Sequence, residues 1–331
     1  GVDVAISRTR AEYDGYEEIR EVEQLYLDMI AAAKRFIYFE NQYFTSAKIA
    51  AAIAERLDED DPPEVVMVMP RTADGWLEQM AMDAARVKLV RAIAKARTLD
   101  ADMVILDLED AVAPEAKAAA REQVCAAVKA GGYGRRELVI RTNGVDTAWF
   151  GDDLGAAVEA KPDAILIPKV SAPETLDQIG AQLDSLKAQP TLRVWAMIET
   201  PLAILQAEAI ARAARNPHSR LSCFVMGTND LAKETRARFV PGRAPMLPWL
   251  TSAILAARAH GLDILDGVYN DLKNEEGFLA ECEQGRDLGF DGKTLIHPAQ
   301  IAPSNAAFSP SPEALAEARR IVEAFALREN A

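Results

Sequence analysis

Residues 101–144 read ADMVILDLEDAVAPEAKAAAREQVCAAVKAGGYGRRELVIRTNG. An apolar run, MVILDL (103–108), leads into a helical segment, PEAKAAAREQVCAAVKA (114–130), and then a second apolar run, LVIRTN (138–143). Apolar runs without alternation imply strands buried on both faces, and a helix between two such strands implies a parallel βαβ unit. The pattern continues with AILIPK (164–169), VWAMIE (194–199), CFVMGT (223–228), LDILDG (262–267) and GKTLIH (292–297), roughly every 25–40 residues. Helical stretches such as LAILQAEAIARAARN (202–216) separate them. Seven strands follow residue 100, and VVMVM (65–69) supplies an eighth. The predicted fold is an α/β (β/α)₈ TIM barrel with an N-terminal α/β extension.

Polar residues gather at one end of these runs: Asp107, Glu109 and Asp110, then Arg141 and Asn143, then Lys169, Glu199, Asp230 and Asp266. One such residue alone is as well explained by a helix cap, but six strand ends together point to the active face of a barrel. Glu199 and Asp230, on neighbouring strand ends, suit one hard cation with positions left open, which is the habit of Mg²⁺; two unrelated surface carboxylates are the bland alternative. Arg141 suits a substrate carboxylate, or equally a buried ion pair with Glu109 or Asp110. Lys169 could face a phosphate or a carbonyl, or neutralise the cluster.

Ahead of the repeating units, residues 16–34 space apolar residues as a helix does, and RFIYFE (35–40) reads as a strand. Thr45-Ser46 are placed to cap a helix over AKIAAAIAERL (47–57), and DEDDPP (58–63) breaks the chain. The strand VVMVM then precedes a long helix reaching about Lys95.

The bulk properties narrow the function. Of 331 residues, 50% are hydrophobic, ample for a large core. A net charge of −14 disfavours nucleic acid as a partner. No apolar run reaches the ~18 residues of a membrane span. Cys125, Cys223 and Cys282 are scattered, with no CxxC pair, so they are expected to be buried thiols in a reducing, cytoplasmic setting. No signal peptide is evident, and Gly1 suggests a fragment or processed start. GFDGKT lacks the first glycine of a phosphate-binding loop, position 287 being Asp. His297 is expected to make structural hydrogen bonds, and Trp195 and Trp249 to sit in the core or an interface.

Residues from about 97 to 330 resemble the citrate lyase β-subunit/malyl-CoA lyase branch of the HpcH/HpaI aldolase superfamily. The resemblance rests on KARTLDADMVILDLEDAVAPEAK, ELVIRTNG, AILIPKV, AMIETPLAIL, FVMGTNDLAKE, PGRAPM, LDGVYNDL, GRDLGFDGKTLIHPAQI and NAAFSPS, which occur in that order. It implies Mg²⁺ held by Glu199 and Asp230, with Glu199 also beside the substrate and Arg141 binding its acid group. Glu109 and Asp110 would have a secondary catalytic role. The implied reaction is carbon–carbon cleavage or formation in a CoA thioester of the malyl, citramalyl or citryl type. Thioester hydrolysis of malyl-CoA on the same fold and an inactive fusion fragment are the alternatives. The implied assembly is a homo-oligomer, a trimer or hexamer. Many relatives carry a C-terminal lid that gives a catalytic Asp to the neighbouring subunit; this sequence stops at ALRENA, so no residue is assigned as that base.

Residues 1 to about 93 resemble the middle of a bacterial phospholipase D, through RTRAEYDGYEEIREVEQLYLDMIAAAKRFIYFENQYFTS and VVMVMPRTADGWLEQMAM. Its HxKxxxxD motifs are absent: His218, His260 and His297 begin HSR, HGL and HPA. No nucleophile for phosphodiester cleavage is present. The expected division is therefore an extension over 1–60 and a barrel over 61–331. The first βα unit of the barrel would be borrowed from the foreign segment, with Pro70 at the family's Pro and Arg71 in place of its Gly.

Overall fold

The computed structural model describes residues 9–10, 19–40, 47–57, 59, 62–68 and 96–329. The chain divides into two compact units, Gly1–Thr98 and Leu99–Ala331, so the boundary falls well beyond the expected residue 60. The predicted Thr45-Ser46 cap, Met69, Pro70, Arg71 and the helix toward Lys95 lie outside the described residues.

In the first unit, β1 (Thr9–Arg10) pairs antiparallel with β2 (Ile19–Arg20). The helix Glu21–Ala32, β3 (Phe36–Glu40), the helix Ala47–Leu57 and β4 (Glu64–Val68) follow. β3 and β4 run parallel, with Ile37 opposite Val65. Ile30, Ile37 and Ile53 close a small core with Ala33, Ile49, Leu57 and Val65 against them. This is a local βαβ unit, and it corrects the expected first strand of the barrel. Glu64–Val68 pairs with β3 along its length, in a sheet separate from the larger one.

The second unit carries seven parallel strands: β5 (Met103–Asp107), β6 (Glu137–Arg141), β7 (Ala164–Ile167), β8 (Arg193–Ile198), β9 (Leu221–Met226), β10 (Asp263–Asp266) and β11 (Gly292–Lys293). Each lies beside its predecessor, in the order β5 to β11. This sheet therefore has seven strands among the described residues, where eight were expected.

The sheet is buried on both sides, which explains the apolar runs. Ile140, Ile165, Val194, Ala196 and Phe224 are inaccessible on one face. On the other, Val139, Ala164, Leu166, Trp195, Met197, Cys223, Val225 and Leu265 form one cluster, with Met103 and Ile105 packed against it. Side chains from β5 through β10 thus share one core. The seven parallel strands curl as a half-barrel does.

Aspartates pin the strands at their N-terminal edge. Asp163 accepts the Leu138 N–H at 2.8 Å, and Asp291 accepts that of Ile264 at 2.8 Å. The opposite, C-terminal edge carries the expected functional residues. All three cysteines are buried and free, and Trp195 is core, as the sequence implied.

Candidate active site

The site is anchored by a register contact between β5 and β6 that sets Asp107 opposite Arg141. The guanidinium grips this carboxylate in a fork, Nε to Oδ1 at 2.7 Å and Nη2 to Oδ2 at 2.6 Å. Asp107 also accepts the backbone N–H groups of Glu109 (2.8 Å) and Ala111 (3.0 Å), which folds the following loop over the strand end. Burial would push the Asp107 carboxyl up, but these bonds and the Arg141 charge outweigh it and hold the group below its usual range.

With Nε and Nη2 engaged, Arg141 turns Nη1 toward the other acids. Nη1 stands 3.1 Å from Glu109 Oε2 and 3.6 Å from Asp110 Oδ2. Burial holds Arg141 less charged by itself, yet Asp107 and the neighbouring acids more than compensate and keep it cationic. Glu109 is buried, and burial pushes its carboxyl above the usual range despite Arg141. Lys117 fixes the backbone beneath, donating to the carbonyls of Leu108 (2.8 Å) and Glu109 (2.6 Å) while lying over the Trp149 ring.

Glu199 follows β8 and is 3% exposed. Its Oε1 accepts the backbone N–H of Lys169 at 2.8 Å. Lys169 follows β7 with φ at 55°, the left-handed region that a non-glycine residue adopts at a cost. That turn aims its N–H at Glu199, and its Nζ lies 3.5 Å from Glu109 Oε1. Ser171 and Thr200 bond each other at 2.7 Å, and Thr200 caps the helix Pro201–Leu205 through the Ala203 N–H at 3.0 Å, locking both strand ends.

Space for Glu199 depends on Gly227, at the end of β9. A Cβ there would come within 2.3 Å of Glu199 Cβ and 2.4 Å of its Oε2. Asp230 sits in the first turn of the helix Thr228–Thr235. Burial, then the charges of Glu109 and Asp230, raise the Glu199 carboxyl to about 7, against the Lys169 N–H and Arg141.

The structure thus gathers Glu109, Asp110, Arg141, Lys169, Glu199 and Asp230 at one place. Two other strand-end residues have their side chains engaged outside this group. Asn143 is tied to Asp153, its Nδ2 donating at 2.6 Å. Asp266 belongs to a separate buried network with Arg243 and Lys293. Sequence reasoning missed Asp107 as the partner of Arg141, and it missed Gly227. His297 is a helix cap, its Nδ1 accepting the Ala299 N–H at 3.2 Å, as expected of a structural residue.

Among the described residues no three His, Cys, Asp or Glu side chains converge as a closed metal cage. Glu199 and Asp230 are a sparser donor set. Two hard carboxylates in a field already crowded with negative charge fit a Mg²⁺ that keeps several positions for water or substrate. A cleft of about 370 Å³ lies beside Lys169, whose N–H bonds Glu199, and is lined also by Glu109, Asp110, Asn143, Thr147 and Trp149.

Comparison with known proteins agrees with this picture. Residues 87–298 match the family HpcH/HpaI aldolase/citrate lyase. The (3S)-malyl-CoA thioesterase of Cereibacter sphaeroides is 52% identical over 235 residues, 71% of this chain and 79% of that protein. The citrate lyase subunit beta of Haemophilus influenzae is 37% identical over 228 residues, 67% of this chain and 77% of its own. Among solved structures, CitE from Mycobacterium tuberculosis in complex with magnesium, acetoacetate and coenzyme A superposes with a TM-score of 0.55 at 30% identity, covering 74% of this chain and 84% of that one.

Proposed function

Because this chain belongs to the HpcH/HpaI aldolase/citrate lyase family, we propose that it hydrolyses the thioester of a malyl-type hydroxyacyl-CoA in a Mg²⁺-dependent reaction. The observation that carries this reading is the 52% identity to a malyl-CoA thioesterase, against 37% to a citrate lyase β-subunit. It modifies the lyase expectation while keeping the same site.

Glu199 and Asp230 would hold the cation. When bound, Mg²⁺ supplies a Lewis acid that polarises substrate oxygens. Arg141, clamped by Asp107, presents Nη1 to a substrate carboxylate oxygen. Glu109, whose carboxyl burial raises above its usual range, is suited in its ionised form to take a proton from water as the water oxygen bonds the thioester carbon. The C–S bond then breaks and the CoA sulfur leaves as the thiol, taking the proton that Glu109 had received from water. Asp110, at the cleft mouth, assists by holding Arg141 in place.

A carbon–carbon lyase is the second reading, favoured by the neighbour crystallised with acetoacetate, coenzyme A and magnesium. Product analysis separates the two. Malyl-CoA treated with the purified chain and Mg²⁺ should give free CoA and malate; acetyl-CoA and glyoxylate would mean the lyase. Failure of Glu199→Ala to abolish either activity would place the chemistry elsewhere. The sequential strand order and the curl support the (β/α)₈ reading of the fold, and a homotrimer or hexamer is the proposed assembly. For the first unit we propose no phospholipase activity, since no His–x–Lys is present in the chain. No helix among the described residues is long and apolar enough to cross a membrane.

A further inference from the structure

Lys169 has no assigned task in the reaction above, yet the fold invests in it. Its backbone is held in the left-handed region, and its N–H is bonded to Glu199. Its side chain is about half exposed, and Nζ lies 3.5 Å from Glu109. Around it stand Glu109, Asp110, Glu199 and Asp230, with Arg141 as the other cation. Arg141 has committed its fork to Asp107, so Lys169 carries the cation that is free to move.

We propose that the Lys169 ammonium, held by Glu109 beside the Glu199–Asp230 pair, is a built-in counter-ion that competes with the divalent cation bound by that pair, and that cation binding releases it into the adjoining cleft to hold an anionic group of the substrate. The inference rests on the Mg²⁺ site proposed above. Three physical points support it. First, an ammonium and a Mg²⁺ serving neighbouring carboxylates repel each other, so each weakens the other's hold. Second, the negative charges of Glu109, Asp230, Glu199 and Asp110 outweigh burial and keep the lysine charged. Third, Lys169 lines the cleft of about 370 Å³ with Asn143, Thr147 and Trp149, so a displaced side chain has an open place to go. A flexible four-carbon stem allows that swing where a clamped guanidinium does not.

The test uses the full chain and its Lys169→Met and Lys169→Arg variants. Methionine keeps the Cβ and the backbone N–H to Glu199 but removes the charge. Isothermal titration with Mg²⁺ alone should show Lys169→Met binding about tenfold more tightly than wild type, and Lys169→Arg close to wild type. In steady-state assays Lys169→Met should raise KM for the acyl-CoA several-fold. Tighter metal with weaker substrate is a pairing that mere loss of structure does not produce.

A second measurement needs no variant. Amine acetylation of wild type, followed by peptide mass spectrometry, should label Lys169 several-fold faster when Mg²⁺ is present. Unchanged or weaker Mg²⁺ binding in a folded Lys169→Met would overturn the competition. If Lys169→Met fails to fold, labelling that ignores Mg²⁺ would overturn it instead. An unchanged KM would overturn the substrate half. Wild type that binds no Mg²⁺ would overturn the site reading and this inference together, whereas wild-type binding with no effect of Lys169 sinks only the latter.

Discussion

Two clusters of buried charge lie at the C-terminal edge of the same sheet, and they are built on opposite rules. At β10 and β11, Asp266 is inaccessible and meets Arg243 Nη1 at 2.8 Å and Lys293 Nζ at 3.0 Å. Glu281 completes the group, 2.7 Å from Lys293. Two acids face two bases. At β5 to β9, five acids, Asp107, Glu109, Asp110, Glu199 and Asp230, surround Arg141 and Lys169. The first cluster is neutral by itself. The second carries an excess of negative charge that costs stability unless a cation arrives. Charge balance therefore separates structural from functional residues at positions that look equivalent along the strands.

The sharpest way to break this comparison is to remove one acid from each cluster. Asp266→Ala leaves Arg243 and Lys293 in the interior with Glu281 as their one acid in the cluster, and breaking a buried pair in this way costs roughly 3–5 kcal/mol. Urea unfolding of the metal-free chain should show a loss of that size. Asp230→Asn relieves repulsion instead, so the metal-free chain should lose no stability while the Mg²⁺-induced rise in Tm disappears. A comparable loss in both variants would mean that the two clusters are not different in kind.

A smaller effect comes from Glu199 and pH. Its carboxyl is raised to about 7, so between the unfolded value near 4.5 and about 7 the folded state holds a proton that the unfolded state has lost. Stability of the metal-free chain should therefore fall as pH rises through that window, by about 3 kcal/mol for this shift, and level off above it. Glu199→Gln should flatten the slope. Mg²⁺ binding at pH 6 should release protons, since the cation takes the ionised carboxylate, and titration in buffers of different ionisation enthalpy measures the number. A wild-type slope of the opposite sign would contradict the burial argument.

The sequence and the structure part company where register and sidedness enter. Seven strands after residue 100 were legible because parallel strands buried on both faces leave unbroken apolar runs. VVMVM looked the same as those runs, and nothing in its composition says which sheet it joins; its pairing with β3 is a tertiary fact. The gathering of Glu109, Asp110, Arg141, Glu199 and Asp230 was legible because strand ends on one edge must converge. The partner of Arg141 was not, since Asp107 faces it only through the β5–β6 register. Asp266 looked like the other strand-end acids because its neutralising bases, Arg243 and Lys293, lie 23 and 27 residues away. Gly227 left a weak signal, a glycine directly after the apolar run CFVM, but its reason is a close approach by a side chain of the preceding strand.

That close approach gives the next prediction. Gly227→Ala puts a methyl where Glu199 now stands, so either the carboxylate moves or the β8 and β9 ends spread. Overpacking of this kind costs about 1–3 kcal/mol, and the displaced Glu199 should weaken Mg²⁺ binding by more than the stability loss accounts for. A variant of lower Tm with wild-type Mg²⁺ affinity would show that Gly227 serves packing alone.

The smallest effect is expected at Asp110, whose side chain is 71% exposed and reaches Arg141 only at 3.6 Å. Solvent screens a contact of that kind, and the stability change in Asp110→Asn should stay within about 0.5 kcal/mol. Glu109→Gln, from a buried and more closely held position, should cost more stability and nearly all of kcat if Glu109 takes the proton from water. The ratio of the two variants in kcat then measures which acid of the Leu108–Asp110 loop touches the reaction. Equal losses would make both acids supports for Arg141, and would move the search for the base to a group outside this pair.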